Sequence, residues 1–206
     1  MYQTPHYRIA KTLTAIAVFF GSTLFAQDVS FNIHAGIGGS QVQGDGNGGF
    51  QKINLMAGVG LTKVFDDEWS MGAELNVAQK GSREGVDPDQ NNFEEYSMAL
   101  TYIQLPVYAR YSTGEKLSFF LGGAVGYLLA SQERDFFGDI ESDPEFRSLE
   151  FSAVGGVRYQ FIEKVSAELR FDQSVIPIRT RDAGSSAQLR GRQYNTVVGF
   201  YAFYHF

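Results

Sequence analysis

Apolar and polar positions alternate with a period of two along most of this chain, and the alternation falls into eight segments. Successive side chains of an extended strand point to opposite faces, so each segment reads as a strand with one apolar and one wetter face. Over Val29 to Gly39, Val29, Phe31, Ile33, Ala35 and Ile37 share one face, and Ser30, Asn32, His34, Gly36 and Gly38 share the other. Lys52 to Phe65, Trp69 to Gly81 and Leu117 to Ser131 repeat the pattern, the last with Ser118, Gly122, Ala124, Gly126 and Ala130 on its small-residue face. Tyr96 to Ser112 sets Ile103, Leu105 and Val107 against Gln104, Tyr108 and Arg110, while its upper half admits either assignment. Arg147 to Phe161 follows, and then the most regular segment, in which Val165, Ala167, Leu169 and Phe171 alternate with Ser166, Glu168, Arg170 and Asp172. Gln193 to Phe206 is the eighth.

The connections alternate too. Asp66 to Glu68, Thr113 to Lys116 and Ile162 to Lys164 are tight, whereas Val42 to Gln51, Ser82 to Glu95, Gln132 to Phe146 and Ile178 to Arg192 are long and polar. Strict alternation of short and long connections is what an up-and-down barrel produces when its turns lie on one side of a membrane and its loops on the other. The predicted fold is therefore all-β, an eight-stranded antiparallel up-and-down transmembrane β-barrel closed by pairing Gln193–Phe206 with Val29–Gly39.

The two faces decide which side meets lipid. Glu74, Arg110, Glu150, Arg158, Glu168, Arg170 and Asp172 all fall on the glycine-rich face, and the opposite face is almost free of charge. A Lys or Arg on the lipid face costs about 2–4 kcal/mol at the bilayer midplane, so the uncharged face is the outer one. A soluble ligand-binding barrel would show the reverse polarity, and a soluble sandwich with an aromatic core is the competing reading. Against it, Phe65, Trp69, Tyr111, Phe119, Tyr159, Phe161, Tyr204 and Phe206 gather next to the short turns, where a membrane interface places aromatic rings. Buried charges persist only when paired, so the seven charged residues are expected to form a lumen network that plugs the barrel.

Composition sharpens the compartment. Arg8 and Lys11 precede an apolar run from Leu13 to Ala26, too short for a spanning helix, and residues 1–26 read as a secretory signal peptide with residues 27–206 as the barrel domain. Cysteine is absent, which excludes a lipid-anchored cysteine and a disulfide scaffold. Without Arg8 and Lys11 the chain keeps 15 basic residues against 23 acidic ones. An acidic chain with no basic patch is not a nucleic-acid binder.

The remaining chemistry is sparse. His34 and His205 are the only histidines after the leader, neither lies in a long loop, and both are expected to be lumen residues rather than members of a nucleophile–base pair. Asp87, Asp89 and Asn91 have the spacing of the first half of a calcium loop, but Asn92 and Met98 stand where its glycine and bidentate glutamate belong. The acidic run Asp135, Asp139, Glu141, Asp143 and Glu145 has no ordered ligand spacing. No catalytic residue, cofactor or metal is expected.

Tyr-Ile-Gln-Leu-Pro-Val-Tyr-Ala-Arg-Tyr over Tyr102–Tyr111, the glycine-rich fifth strand and the terminal Phe206 resemble the PorT-like, porin-type family of outer-membrane β-barrels. The resemblance spans essentially all of the chain after residue 26, and Leu105-Pro106 followed by an aromatic and a basic residue is its most specific piece. It implies an outer-membrane location, in some members a link to secretion machinery, and no catalytic residues. A final strand ending in Tyr-His-Phe likewise resembles the terminal strand that the barrel-insertion machinery reads, with Phe200, Tyr204 and Phe206 as the insertion signal. Expected partners are outer-membrane lipid and lipopolysaccharide, the insertion machinery, and a protein or surface ligand at the long loops. The expected role is structural, adhesive or secretion-associated; a small passive porin is the alternative, and a lipid-modifying enzyme comes third.

Overall fold

The computed structural model describes residues 29–45, 49–84, 96–140, 142, 145–180 and 192–206. The strands are β1 (Val29–Gln43), β2 (Lys52–Val64), β3 (Trp69–Glu84), β4 (Tyr96–Thr113), β5 (Leu117–Asp135), β6 (Gly138–Ile140), β7 (Leu149–Ile162), β8 (Val165–Ser174), β9 (Arg179–Thr180) and β10 (Arg192–His205). Eight long strands follow one another around the wall, every pairing is antiparallel, and β10 pairs with β1 to close the cylinder. Closure leaves no free edge, which satisfies every ladder group in hydrocarbon. The short β6 and β9 pair with β5 and β10 at the long-loop end. The signal peptide expected over residues 1–26 lies outside the described residues.

Strands reach further toward the long loops than the alternation alone suggested. Val42 belongs to β1, Ser82 to β3 and Gln132 to β5, although each opens a predicted loop. Polarity marks where lipid ends, not where pairing ends: the ladder hydrogen bonds continue once both faces are wet. β7 in turn begins at Leu149 rather than Arg147, and β8 runs on to Ser174.

A bulge explains a second difference. Thr101 pairs with Ala130 and Tyr102 with Leu128, so Leu129 has no partner across the ladder. The extra residue reverses the phase of β5 beyond it. Ala130, expected inside, is exposed, and Glu133 turns inward with only 2% exposure.

Small residues make room for large ones in the interior. A Cβ on Gly72 would strike the Tyr108 ring, and one on Gly36 would strike the ring of Tyr201. Each ring thus covers the bare backbone of a neighbouring strand. Outside, Ile33, Leu55, Leu75, Leu105, Leu121, Leu169 and Phe200 are exposed, forming the band that lipid covers.

Candidate functional site

The lumen holds three layers of side chains. Nearest the short turns, Arg170 sits between two carboxylates, donating from Nη1 and Nη2 to the two Glu74 oxygens at 2.8 Å each and from Nε to Glu168 at 2.6 Å. Arg158 Nε reaches the other Glu168 oxygen at 2.8 Å and its guanidinium stacks on Phe203, 3.8 Å from the ring centre. Tyr108 donates to Glu74 at 2.7 Å, and Asn76 Nδ2 does so at 3.0 Å. That amide contact orients Asn76, whose oxygen then receives the Nε2–H of His34 at 2.8 Å. Arg170, Arg158, Glu74 and Glu168 are each bidentate or bridged, the geometry in which a buried pair offsets its desolvation.

The middle layer is built on Lys80. Its ammonium donates to Glu150 at 2.9 Å and to Asp172 at 3.0 Å. Gln104 donates to Asp172 at 2.7 Å and Asn195 to Glu150 at 2.8 Å, so the second carboxylate is stabilised by amides rather than by a second cation.

Toward the long loops the interior turns apolar. Val42, Met98, Leu100, Tyr102, Phe146 and Ile178 form a buried cluster. β9 places Arg179 beside it, bidentate to Glu133 at 2.8 Å per contact, with Nε on Gln193 and Phe146 under the guanidinium at 4.1 Å. Ser131, Gln132 and Arg134 are exposed at this level, which puts the Glu133–Arg179 pair beyond the lipid. Burial works against the Glu133 carboxylate, but hydrogen bonds from Arg179, Ser142 and Tyr96 more than offset it and hold its pKa below the ordinary value.

Of the seven residues expected to form a lumen charge network, all are buried. Glu74, Arg158, Glu168 and Arg170 share the first layer; Glu150 and Asp172 belong to the second. Among the described residues Arg110 joins no ion pair, and its hydrogen bond is to Tyr108 Oη, at 3.3 Å. Lys80, Glu133 and Arg179 escaped the sequence reading. Lys80 was legible, since it extends the inward set Glu74, Asn76 and Ala78 by two positions. Phe200, Tyr204 and Phe206 lie exposed on the outer wall, with the Phe206 amide bonded to Phe31 at 3.0 Å.

His34 is enclosed by Asn32, Asn76 and Phe203 in the first layer. His205 contacts Ser166 at 2.9 Å, the one nucleophile–imidazole contact among the described residues. Ser166 has no exposed surface, and the charges acting on His205 are Arg158, Arg110 and His34 rather than a carboxylate. An activated serine needs the opposite arrangement. Met98, set where a calcium loop would need glutamate, is a buried strand residue; Asp87, Asp89, Asn91, Asn92, Glu141 and Asp143 lie outside the described residues. Among the described residues no cluster of histidine and carboxylate groups suits a metal ion.

A closed barrel with a lipid-suited exterior and a charged interior is the form of an outer-membrane protein, and residues 25–179 match the family described as outer membrane protein beta-barrel domain. The chain belongs to that family. The matched stretch contains seven of the eight wall strands; β10 follows it. Among solved structures, the Ail attachment invasion locus protein of Yersinia pestis, crystallised with the heparin analogue sucrose octasulfate, is 16% identical with a TM-score of 0.50, covering 87% of this chain and 100% of its own. Neisserial surface protein A is 9% identical (TM-score 0.48, 87% of this chain and 100% of its own), and OprG from Pseudomonas aeruginosa is 12% identical (TM-score 0.37, 87% and 97%). At such identities the likeness is one of fold. No curated protein matches the chain. The family places this barrel in the outer membrane.

Proposed function

We propose that this outer-membrane barrel is sealed and works through its extracellular rim, in a structural, adhesive or secretion-associated role, without catalysing a reaction. The observation that carries the reading is the filled lumen: two layers of paired charge under an apolar cap, with Arg158, Arg179, Tyr102, Tyr108 and Lys80 each under 2% exposed. An eight-stranded barrel is about wide enough for side chains to fill, and these side chains do so. At the rim, Phe136 and Phe137 stand exposed at the β5–β6 turn, their rings edge to face at 5.6 Å. An exposed aromatic pair on a projecting hairpin suits contact with a protein or surface ligand.

The finer parts of the proposal are kinship with PorT-like barrels, carried by Tyr102–Tyr111, export by the leader over residues 1–26, and recognition of the last strand by the insertion machinery through Phe200, Tyr204 and Phe206. The passive-porin reading draws on one observation, a cavity of about 540 Å3 that opens at the short-turn end beside Arg110 and His205. Conductance of the purified protein in planar bilayers separates the two: the sealed barrel gives no steady open channel, and a steady channel overturns it. Export is tested by N-terminal sequencing of the outer-membrane fraction, which should begin near Gln27.

A further inference from the structure

Three arginines share the periplasmic layer with two glutamates. Arg158 and Arg170 are held by Glu74 and Glu168, which leaves Arg110 as the surplus cation. Arg110 is 9% exposed, its Nε is buried with no hydrogen-bond partner among the described residues, and its one bond, at 3.3 Å, goes to the uncharged hydroxyl of Tyr108. The compensating negative charge sits one layer away on Glu150 and Asp172, where Lys80, Gln104 and Asn195 engage it. A guanidinium in this setting stays charged and calls for an anion.

The surroundings meet that call. Arg158 Nη2 donates to the same Tyr108 oxygen at 3.2 Å, so two guanidinium groups converge there, and Arg158 Nη1 is itself buried and unpartnered. Thr62 Oγ1, a third buried group with no partner among the described residues, lines the 540 Å3 cavity together with Arg110, Ser30, Ser70 and Ser112. The cavity opens between the short turns, where Asp66, Asp67, Glu68, Glu115 and Glu163 stand exposed. Repulsion by such a rim grows with the charge of the approaching group, so it disfavours a polyanion far more than a small anion. We propose that Arg110, with Thr62 and with the charge of Arg158 behind the shared Tyr108 hydroxyl, forms an anion site at the periplasmic mouth that takes a small phosphate- or carboxylate-type group. Its source is a free periplasmic anion or the headgroup of an inner-leaflet lipid.

The test is equilibrium dialysis of the intact barrel in maltoside micelles against inorganic phosphate at constant ionic strength. Saturable binding is expected, weakened roughly tenfold or more in Arg110→Gln, the loss of a charge-assisted contact, less in Arg110→Lys, and unchanged in Arg134→Gln at the opposite, long-loop end. Arg110→Gln removes an unpaired buried cation and should fold, which the heat-modifiable gel shift reads; if it does not, Thr62→Val carries the same comparison. Absence of saturable binding by the native barrel, or equal binding by Arg110→Gln, overturns the site. Competition by phosphatidylglycerol added to the micelles would assign the anion to a headgroup, and phosphate binding indifferent to that lipid would assign it to the free ion; both outcomes support the anion site.

Discussion

Toward the short turns the lumen is closed by charge, through Arg170, Arg158, Glu74 and Glu168; toward the long loops it is closed by apolar bulk, through Met98, Leu100, Tyr102, Phe146 and Ile178. The two ends show that one barrel can exclude a through-path by two kinds of packing. Ion pairs lock geometry but fail badly when one partner is lost, whereas an apolar cluster loses contacts by degrees. Substitutions at each end should therefore differ in size.

Glu74→Gln should be the most damaging single change, leaving Arg170 without its bidentate partner and costing about 3–5 kcal/mol; urea unfolding in micelles measures it. Leu100→Ala in the apolar cap should cost about 2–4 kcal/mol by the same assay. Neither variant alone should conduct in planar bilayers, because the other end stays closed, and a channel from Leu100→Ala would locate the whole seal in the cap. Gly72→Ala drives a methyl group into the Tyr108 ring and should cost about 1–3 kcal/mol, while loosening the Tyr108 contacts to Glu74 and Arg158.

Acid should act on the cap through Glu133. Its pKa is depressed in the folded protein, so the pair with Arg179 contributes fully above the unfolded glutamate range, near about 4.3, and is lost as pH falls through the folded value. Hydrogen exchange around Arg179 and Gln193 should quicken below that range, and Glu133→Gln should abolish the pH dependence. The smallest effect belongs to the exposed Arg134–Asp139 pair: Asp139→Asn should change stability by less than about 0.5 kcal/mol.

The charged end was far more legible in the sequence than the apolar one. Glu168, Arg170 and Asp172 announce their shared face because β8 alternates without interruption. In the cap, two physical facts hide the answer. Met98 and Leu100 are apolar yet point inward, which defeats the rule that polar faces line the lumen. The bulge opposite Thr101 and Tyr102 then reverses the parity of β5, so Glu133 reads as a loop residue until its partner strand is known. Arg110 is buried but lacks, among the described residues, the ion pair expected of it, since partners across a lumen depend on stagger between strands, which period two does not encode.

The seam between β1 and β10 carries a consequence for assembly time. Its pairs, from Asn32 with His205 to Gln43 with Tyr194, join the most distant parts of the wall, and Tyr201 covers Gly36 only once they meet. Contacts of such long sequence separation form slowly because the intervening chain must be brought together first. The closing strand thus acts as a latch: until Tyr201 settles, Gly36 is uncovered and the lumen lacks one wall. A smaller side chain at Tyr201 would register first as slow maturation, before any deficit in the finished barrel became visible.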